Sequence, residues 1–143
     1  MRLLIDANVY LSYLLKPTGN GSATRVVALV GDGSLEVIFP PQIETELRRT
    51  VANKRYLRER IPQDQLEALI EAFRGIAVPA GVSLSSSPIT SRDRDDTFLL
   101  EVAFAGDVDY LVSGDRDVLV LRPLIDRPRI VSPAQFLAET GLG

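Results

Sequence analysis

Two absent residue types set the chemistry open to this chain. Its 143 residues include no Cys and no His. That removes disulfides, thiolate nucleophiles, zinc–thiolate and iron–sulfur sites, the histidine-dependent triad and histidine-ligated metals. Acids, bases and ligands must therefore come from the 19 Asp and Glu, from hydroxyls, and from Lys or Arg. Oxygen donors of this kind suit hard divalent cations.

The acids that could act together stand at a few places. Asp6 follows the apolar run Leu3, Leu4, Ile5, and Asp115 and Asp117 follow the segment YLVSG. Ligands of open parallel sheets collect beyond the carboxyl ends of the strands, so if these two runs are neighbouring strands, Asp6 and Asp115 share one pocket. Each also has an ordinary structural use, Asp6 as a helix cap and Asp115 in a Ser-Gly-Asp turn. The cluster Arg92, Asp93, Arg94, Asp95, Asp96 opens an apolar helical pattern, where carboxylates favour the positive end of the helix. Helical spacing aligns Asp95 with Phe98 and Val102, and Asp96 with Leu99 and Ala103, so periodicity does not choose between them. Glu44 and Glu46 flank the stripe Ile43, Leu47, Val51 equally, and a solvated helix face accounts for either.

Carboxylates brought within a few ångströms repel, and some take up protons unless a cation balances them. Mg²⁺ needs only one or two direct carboxylates and keeps several waters, which further acids can orient. A cation so held lowers the pKa of an attacking water and neutralises charge developing on phosphorus. Phosphodiester hydrolysis is the reaction that such a histidine-free site suits.

The elements that must position these acids follow from periodicity and punctuation. Arg2 to Ile5 reads as a buried strand that Asp6 closes, before the helical pattern Val9, Leu11, Leu14, Leu15. Lys16 to Gly21 is a turn. A helix is expected from Ser22, a candidate N-cap, to about Val30, stopped by Gly31 to Gly33. Leu35 to Phe39 is a second strand, and Pro41 begins a helix with Ile43, Leu47 and Val51 inward. Pro62 to Ile76 is helical, residues 79–93 read as a surface loop, and Asp95 to Ala105 is an apolar helix. Tyr110 to Val112 and Arg129 to Val131 are strands, with a capped helix after Ser132. Strands alternating with helices predict an α/β chain, one domain over 1–143, with a mainly parallel central sheet covered on both faces.

Taken in order, four segments resemble the PIN-domain ribonucleases, especially the bacterial branch related to VapC toxins. LLIDANV, residues 3–9, is similar to the first signature and implies a metal-binding acid at Asp6 with Asn8 in support. PPQIETEL, residues 40–47, implies that the helical acid is Glu46 rather than Glu44. SRDRDDTFLLEVA, residues 91–103, implies a catalytic acid at Asp96 with Asp95 beside it, and DYLVSGDRDVL, residues 109–119, implies Asp115 with Ser113 and Asp117 as neighbours. The resemblance implies a three-layer α/β/α PIN-like fold and an endoribonuclease in which Asp6, Glu46, Asp96 and Asp115 form the acidic core. Mg²⁺ or Mn²⁺ would be held by Asp6, Asp96 and Asp115. It also implies a homodimer restrained by a cognate antitoxin. Thr97, Arg94 and Ser113 depart from the commoner residues of that family and bear on substrate choice.

The net charge is −3, yet the stretch from Arg48 to Arg60 carries six bases and one acid, leaving −8 for the rest. An acidic pocket repels phosphate, so Arg48, Arg49, Lys54, Arg55, Arg58 and Arg60 are the expected RNA-holding surface, against the ordinary use of a charge run as a solvated face. Hydrophobic residues at 45% and charged residues at 24% exclude intrinsic disorder and a fibrous repeat. No apolar run is long enough for a bilayer, and an early aspartate interrupts any secretory signal, which predicts a cytoplasmic protein. Two other functions compete. One is a catalytically silent PIN-like scaffold that binds RNA or protein. The other is an aspartate-nucleophile phosphatase, which needs a second Asp where this chain has Asn8.

Overall fold

The computed structural model describes residues 1–78 and 94–142, the side chains of residues 94–97 excepted. The loop expected over 79–93 lies outside the described residues. In chain order the elements are β1 (Arg2–Ile5), α1 (Ala7–Leu15), α2 (Ser22–Gly31), β2 (Glu36–Ile38), α3 (Pro41–Asn53), α4 (Arg55–Arg60) and α5 (Gln63–Ile76). After the undescribed segment come α6 (Arg94–Ala105), β3 (Tyr110–Val112), α7 (Arg116–Leu119), a 3₁₀ turn (Arg122–Leu124), β4 (Arg129–Val131) and α8 (Pro133–Thr140).

The described strands form one sheet in the order β2-β1-β3-β4, parallel at every pairing. Leu3, Leu4 and Ile5 are all fully buried although successive strand residues point to opposite faces, so both faces of β1 are covered. Leu111 and Val112 repeat this on β3, and Ile130 and Val131 on β4. Right-handed crossovers put the β1-to-β2 connection on one face and the return past β1 to β3 on the other. The result is the expected three-layer α/β/α arrangement. α1 packs on α2 and α3, and α2 on α5 and α8, while α6 packs against β1. Tyr10, Phe39 and Phe73 join α1, the end of β2 and α5 through edge-on and tilted ring contacts at 5.2–5.8 Å between centroids.

Local chemistry sets the boundaries. Pro41 occupies the first turn of α3, and Ser132 with Gln135 forms a reciprocal capping box on α8, which ends at Gly141 with φ of 69°. At Gly106, just past α6, an added Cβ would stand 2.1 Å from Ile38 Cδ1 and 3.2 Å from Val102 O, so a larger residue there would require the Ile38 side chain to move. Two expectations are corrected, on Ser22 and on Asp115, and one feature of the basic stretch is added. Ser22 is the first residue of α2 and not its cap, a position taken by Gly21 without a side-chain bond. The basic stretch is not one helix, because Lys54 adopts an extended conformation that ends α3 and starts α4. Finally, Asp115 starts a four-residue helix, too short to show periodicity in the sequence.

A candidate active site at the carboxyl edge of the sheet

From β1 the chain moves to β2 on one side and later returns to β3 on the other, so the switch in direction lies between β1 and β3. A crevice at the carboxyl ends of two such strands is where open parallel sheets bind ligands. Ile5 pairs with Val112 in the ladder, and the Asp6 amide donates to Val112 O at 2.9 Å, which makes Asp6 and Ser113 the first residues beyond the last rung. The conditional expectation that the strands are neighbours holds.

Asp6 is only 5% exposed, and its carboxylate is fully oriented. Oδ1 accepts the Ala7 amide at 2.7 Å, and Oδ2 accepts the Asn8 side-chain amide at 2.9 Å and the Ser113 hydroxyl at 2.8 Å. The Ser113 Oγ in turn accepts the Asp115 amide at 3.0 Å, and Asn8 Oδ1 accepts the Gly114 amide at 2.9 Å. Asn8 and Ser113 thus join the two strand ends into one network. Asp115 is half-buried and caps α7 by accepting the Asp117 amide at 2.9 Å, while Asp117 is exposed. The capping use of Asp6 is real, Asp115 caps α7 in place of the expected Ser-Gly-Asp turn, and both uses coexist with placement in the crevice.

Burial pushes the Asp6 carboxyl above the ordinary carboxylate range, and the negative charge of Asp115 pushes it further the same way; the bonds from Ser113, Ala7 and Asn8 only partly offset this. An oxygen-only donor set whose members oppose each other's charge fits a hard divalent cation. Among the described residues, no group of three or more acids converges as a ready-made metal cage. Asp95 and Asp96 stand in the first turn of α6, and their side chains lie outside the described residues.

A match to the family described as PIN domain extends over residues 2–117. The chain belongs to the PIN domain family. No curated protein and no solved structure matches it. The PIN domain is a superfamily of nucleases, which gives this chain a nuclease-like role. The matched span holds Asp6, Glu46, Asp96 and Asp115 and ends at Asp117, so β4 and α8 lie beyond it.

In this PIN domain the two glutamates of α3 are placed differently. Glu46 is half-buried. Glu44 is 8% exposed and faces α5: Arg74 donates to both of its carboxylate oxygens, through Nε at 2.9 Å and through Nη2, and Arg48 Nη1 donates at 2.8 Å. Arg48 also donates to Glu67 through Nε at 2.9 Å and Nη2 at 2.6 Å. Glu44 therefore belongs to an ion-pair network between α3 and α5 and is not a solvated face. The one local signal is the i,i+4 spacing of Glu44 and Arg48; the partner on the other helix, Arg74, is 30 residues away.

The basic stretch remains on the surface of the PIN domain, but most of it has structural partners. Arg48 is held in the network just described. Arg55 pairs with Glu59 at 2.8 Å, Arg58 Nη1 donates to Ala52 O at 2.8 Å, and the Arg60 guanidinium lies 4.0 Å over the Tyr56 ring. Arg49 and Lys54 are exposed, and their side chains have no partner among the described residues. Among those residues no helix is long and apolar enough to cross a membrane.

Proposed function

We propose that this PIN domain is an endoribonuclease that cleaves RNA phosphodiester bonds with Mg²⁺ or Mn²⁺. The observation that carries this reading is the convergence of Asp6 and Asp115 at the β1/β3 switch point, tied through Ser113 and Asn8. Asp6, Asp96 and Asp115 would hold the cation, with Glu46 completing the acidic core and Asp95 and Asp117 at its margin. When bound, the cation supplies a water of lowered pKa and neutralises charge at phosphorus.

The chain's own residues prepare that site. Three donors fix the Asp6 carboxylate in one orientation, so little reorganisation is left when ligand arrives. Oδ1 accepts only the Ala7 amide among the described residues and keeps a lone pair for a further partner. Asp115 is held against α7 by its bond from Asp117, with its other oxygen outside that bond. Asn8 cannot serve as the second carboxylic acid of an aspartate-nucleophile phosphatase, and both ends of its amide are already engaged.

Within this reading the chain forms one domain, works in the cytoplasm as a homodimer, and is the toxin of a toxin–antitoxin pair. The resemblance of its four signatures to the VapC-related branch supports that assignment. Arg49 and Lys54, with Arg48, Arg55, Arg58 and Arg60 around them, would attract the RNA backbone. The test is cleavage of RNA with and without added Mg²⁺ or Mn²⁺. Wild type should cut only with the ion, and Asp6→Asn should not cut while keeping its circular-dichroism spectrum. Cleavage that persists in EDTA, or an Asp6→Asn protein that cuts at the wild-type rate, refutes the mechanism. Co-purification from the native cell tests the antitoxin: absence of a small partner, together with harmless expression, removes the toxin role and leaves the nuclease.

A further inference from the structure

We infer that Arg116 is a phosphate-binding residue of this site, holding the RNA backbone beside the bond that is cut. The inference rests on the RNA-cleaving reading above. An acidic crevice repels a polyanion, so a cation of the protein must stand close to the acids as well as along the approach. The basic stretch would supply the approach: if Glu46 joins the acidic core as proposed, Lys54 lies eight residues beyond it, roughly 12 Å along the helix axis. α4 continues beyond it.

Arg116 stands at the crevice itself. It is the first residue of α7, directly after Asp115, and their Cα atoms are about 3.8 Å apart. It is exposed and lies between two aspartates, yet its guanidinium forms no ion pair and no hydrogen bond among the described residues, where only its backbone carbonyl is engaged, by the Val120 amide. The Asp115 carboxylate is instead turned to the Asp117 amide. Most other described arginines are engaged. Arg2 meets Glu36 and Gly106 O, Arg122 meets Ile130 O and Gln135, and Arg129 meets Glu139. The short helix that presents Arg116 is anchored by Val118, which is 1% exposed, and packs on β4, so the side chain projects from a fixed base. A guanidinium offers a planar fork of donors that matches two phosphate oxygens, which a lysine ammonium does not.

The experiment measures binding of a fluorescently labelled single-stranded RNA of mixed sequence across a salt series. Asp6→Asn protein is used so that the RNA stays intact, and it is compared with the same protein carrying Arg116→Ala or Arg116→Lys. Loss of one phosphate contact should weaken binding about fivefold near 0.1 M salt and lower the slope of log K against log salt by about 0.7. Arg116→Lys should restore the slope and part of the affinity. If the Asp6→Asn protein binds with a clear salt dependence and Arg116→Ala gives a coincident curve, Arg116 is only a solvated side chain and the nuclease reading stands. If the parent protein shows no salt-dependent binding at all, the Arg116 assignment and the RNA reading fall together.

Discussion

The Ser113 hydroxyl donates its proton to Asp6: Oγ lies 2.8 Å from Asp6 Oδ2 while accepting the Asp115 amide at 3.0 Å. Because a hydroxyl has one proton, the incoming amide leaves it aimed at the carboxylate. Ser113 is fully buried, so water cannot replace it. This one side chain couples the orientations of the two acids that the β1/β3 crevice brings together.

Ser113→Ala should therefore act on both acids. It removes a bond to a charged acceptor and leaves the Asp115 amide without its partner, at a cost of about 2 kcal/mol in unfolding free energy. Residues that orient metal ligands lower metal affinity or activity by roughly 10–100-fold when lost. The check is urea unfolding together with cleavage rates over a Mn²⁺ titration. A variant with wild-type stability and wild-type metal dependence would show that the hydroxyl does not set Asp6.

Asn8 offers a sharper comparison, because its Nδ2 faces Asp6 Oδ2 at 2.9 Å while Oδ1 takes the Gly114 amide. Asn8→Ala loses both bonds. Asn8→Asp keeps the Gly114 bond but sets a second carboxylate against a carboxyl that burial already disfavours in its charged form. At neutral pH without metal, Asn8→Asp should be the less stable by about 1.4 kcal/mol or more, one pKa unit of repulsion. Added Mn²⁺ should raise its melting temperature more than that of Asn8→Ala. Thermal melts in EDTA in which Asn8→Asp is the more stable variant contradict the geometry.

How much of this could be read from the sequence depends on how local each signal is. β1, β3 and β4 fall at the expected residues because each is a short apolar run bounded by a breaker. Pro41 and Ser132 mark the starts of α3 and α8 by capping chemistry. The sequence states the acids but not the order of the strands, and that order makes neighbours of Asp6 and Asp115. α7, at four residues, is barely one helical turn and too short for the apolar pattern to recur, and the extended Lys54 between α3 and α4 involves neither Gly nor Pro, so neither left a local mark. The division of labour between Glu44 and Glu46 was hidden most completely. Their flanking positions are equivalent on the stripe, and what separates them is Arg48 at i,i+4 from Glu44 together with Arg74 on another helix.

That network gives a pH prediction. Hydrogen bonds from Arg74, and secondarily from Arg48, hold the Glu44 carboxyl below the usual carboxylate range, although burial opposes them. A depressed folded-state pKa stabilises the fold above the unfolded value, and the contribution disappears as pH falls through the folded value. Glu44→Gln keeps the shape but removes the charge, and should cost about 2 kcal/mol at pH 7. The gap to wild type should close as pH falls below roughly 4. Urea midpoints at neutral and acid pH measure it directly; a gap that stays constant down to pH 3 would mean that the Glu44 charge contributes nothing.

The outer basic surface is a separate matter from Arg116, and the two can be resolved by slope. Arg55, Arg58 and Arg60 are exposed, but each has a structural contact: Arg55 with Glu59, Arg60 with Tyr56, and Arg58 with Ala52 O near the end of α3. Exposed pairs of this kind contribute about 0–1 kcal/mol, so phosphate can displace them. Replacing all three with Ala should lower the salt slope of RNA binding by about 2, near 0.7 for each lost contact. Metal affinity should not change, since none of the three touches Asp6 or Asp115. Arg58 caps a helix end, so the triple variant should also melt slightly lower. Coincident RNA-binding curves for wild type and the triple variant from low to moderate salt would assign this surface to solvation alone. The cations that matter would then be those at the crevice.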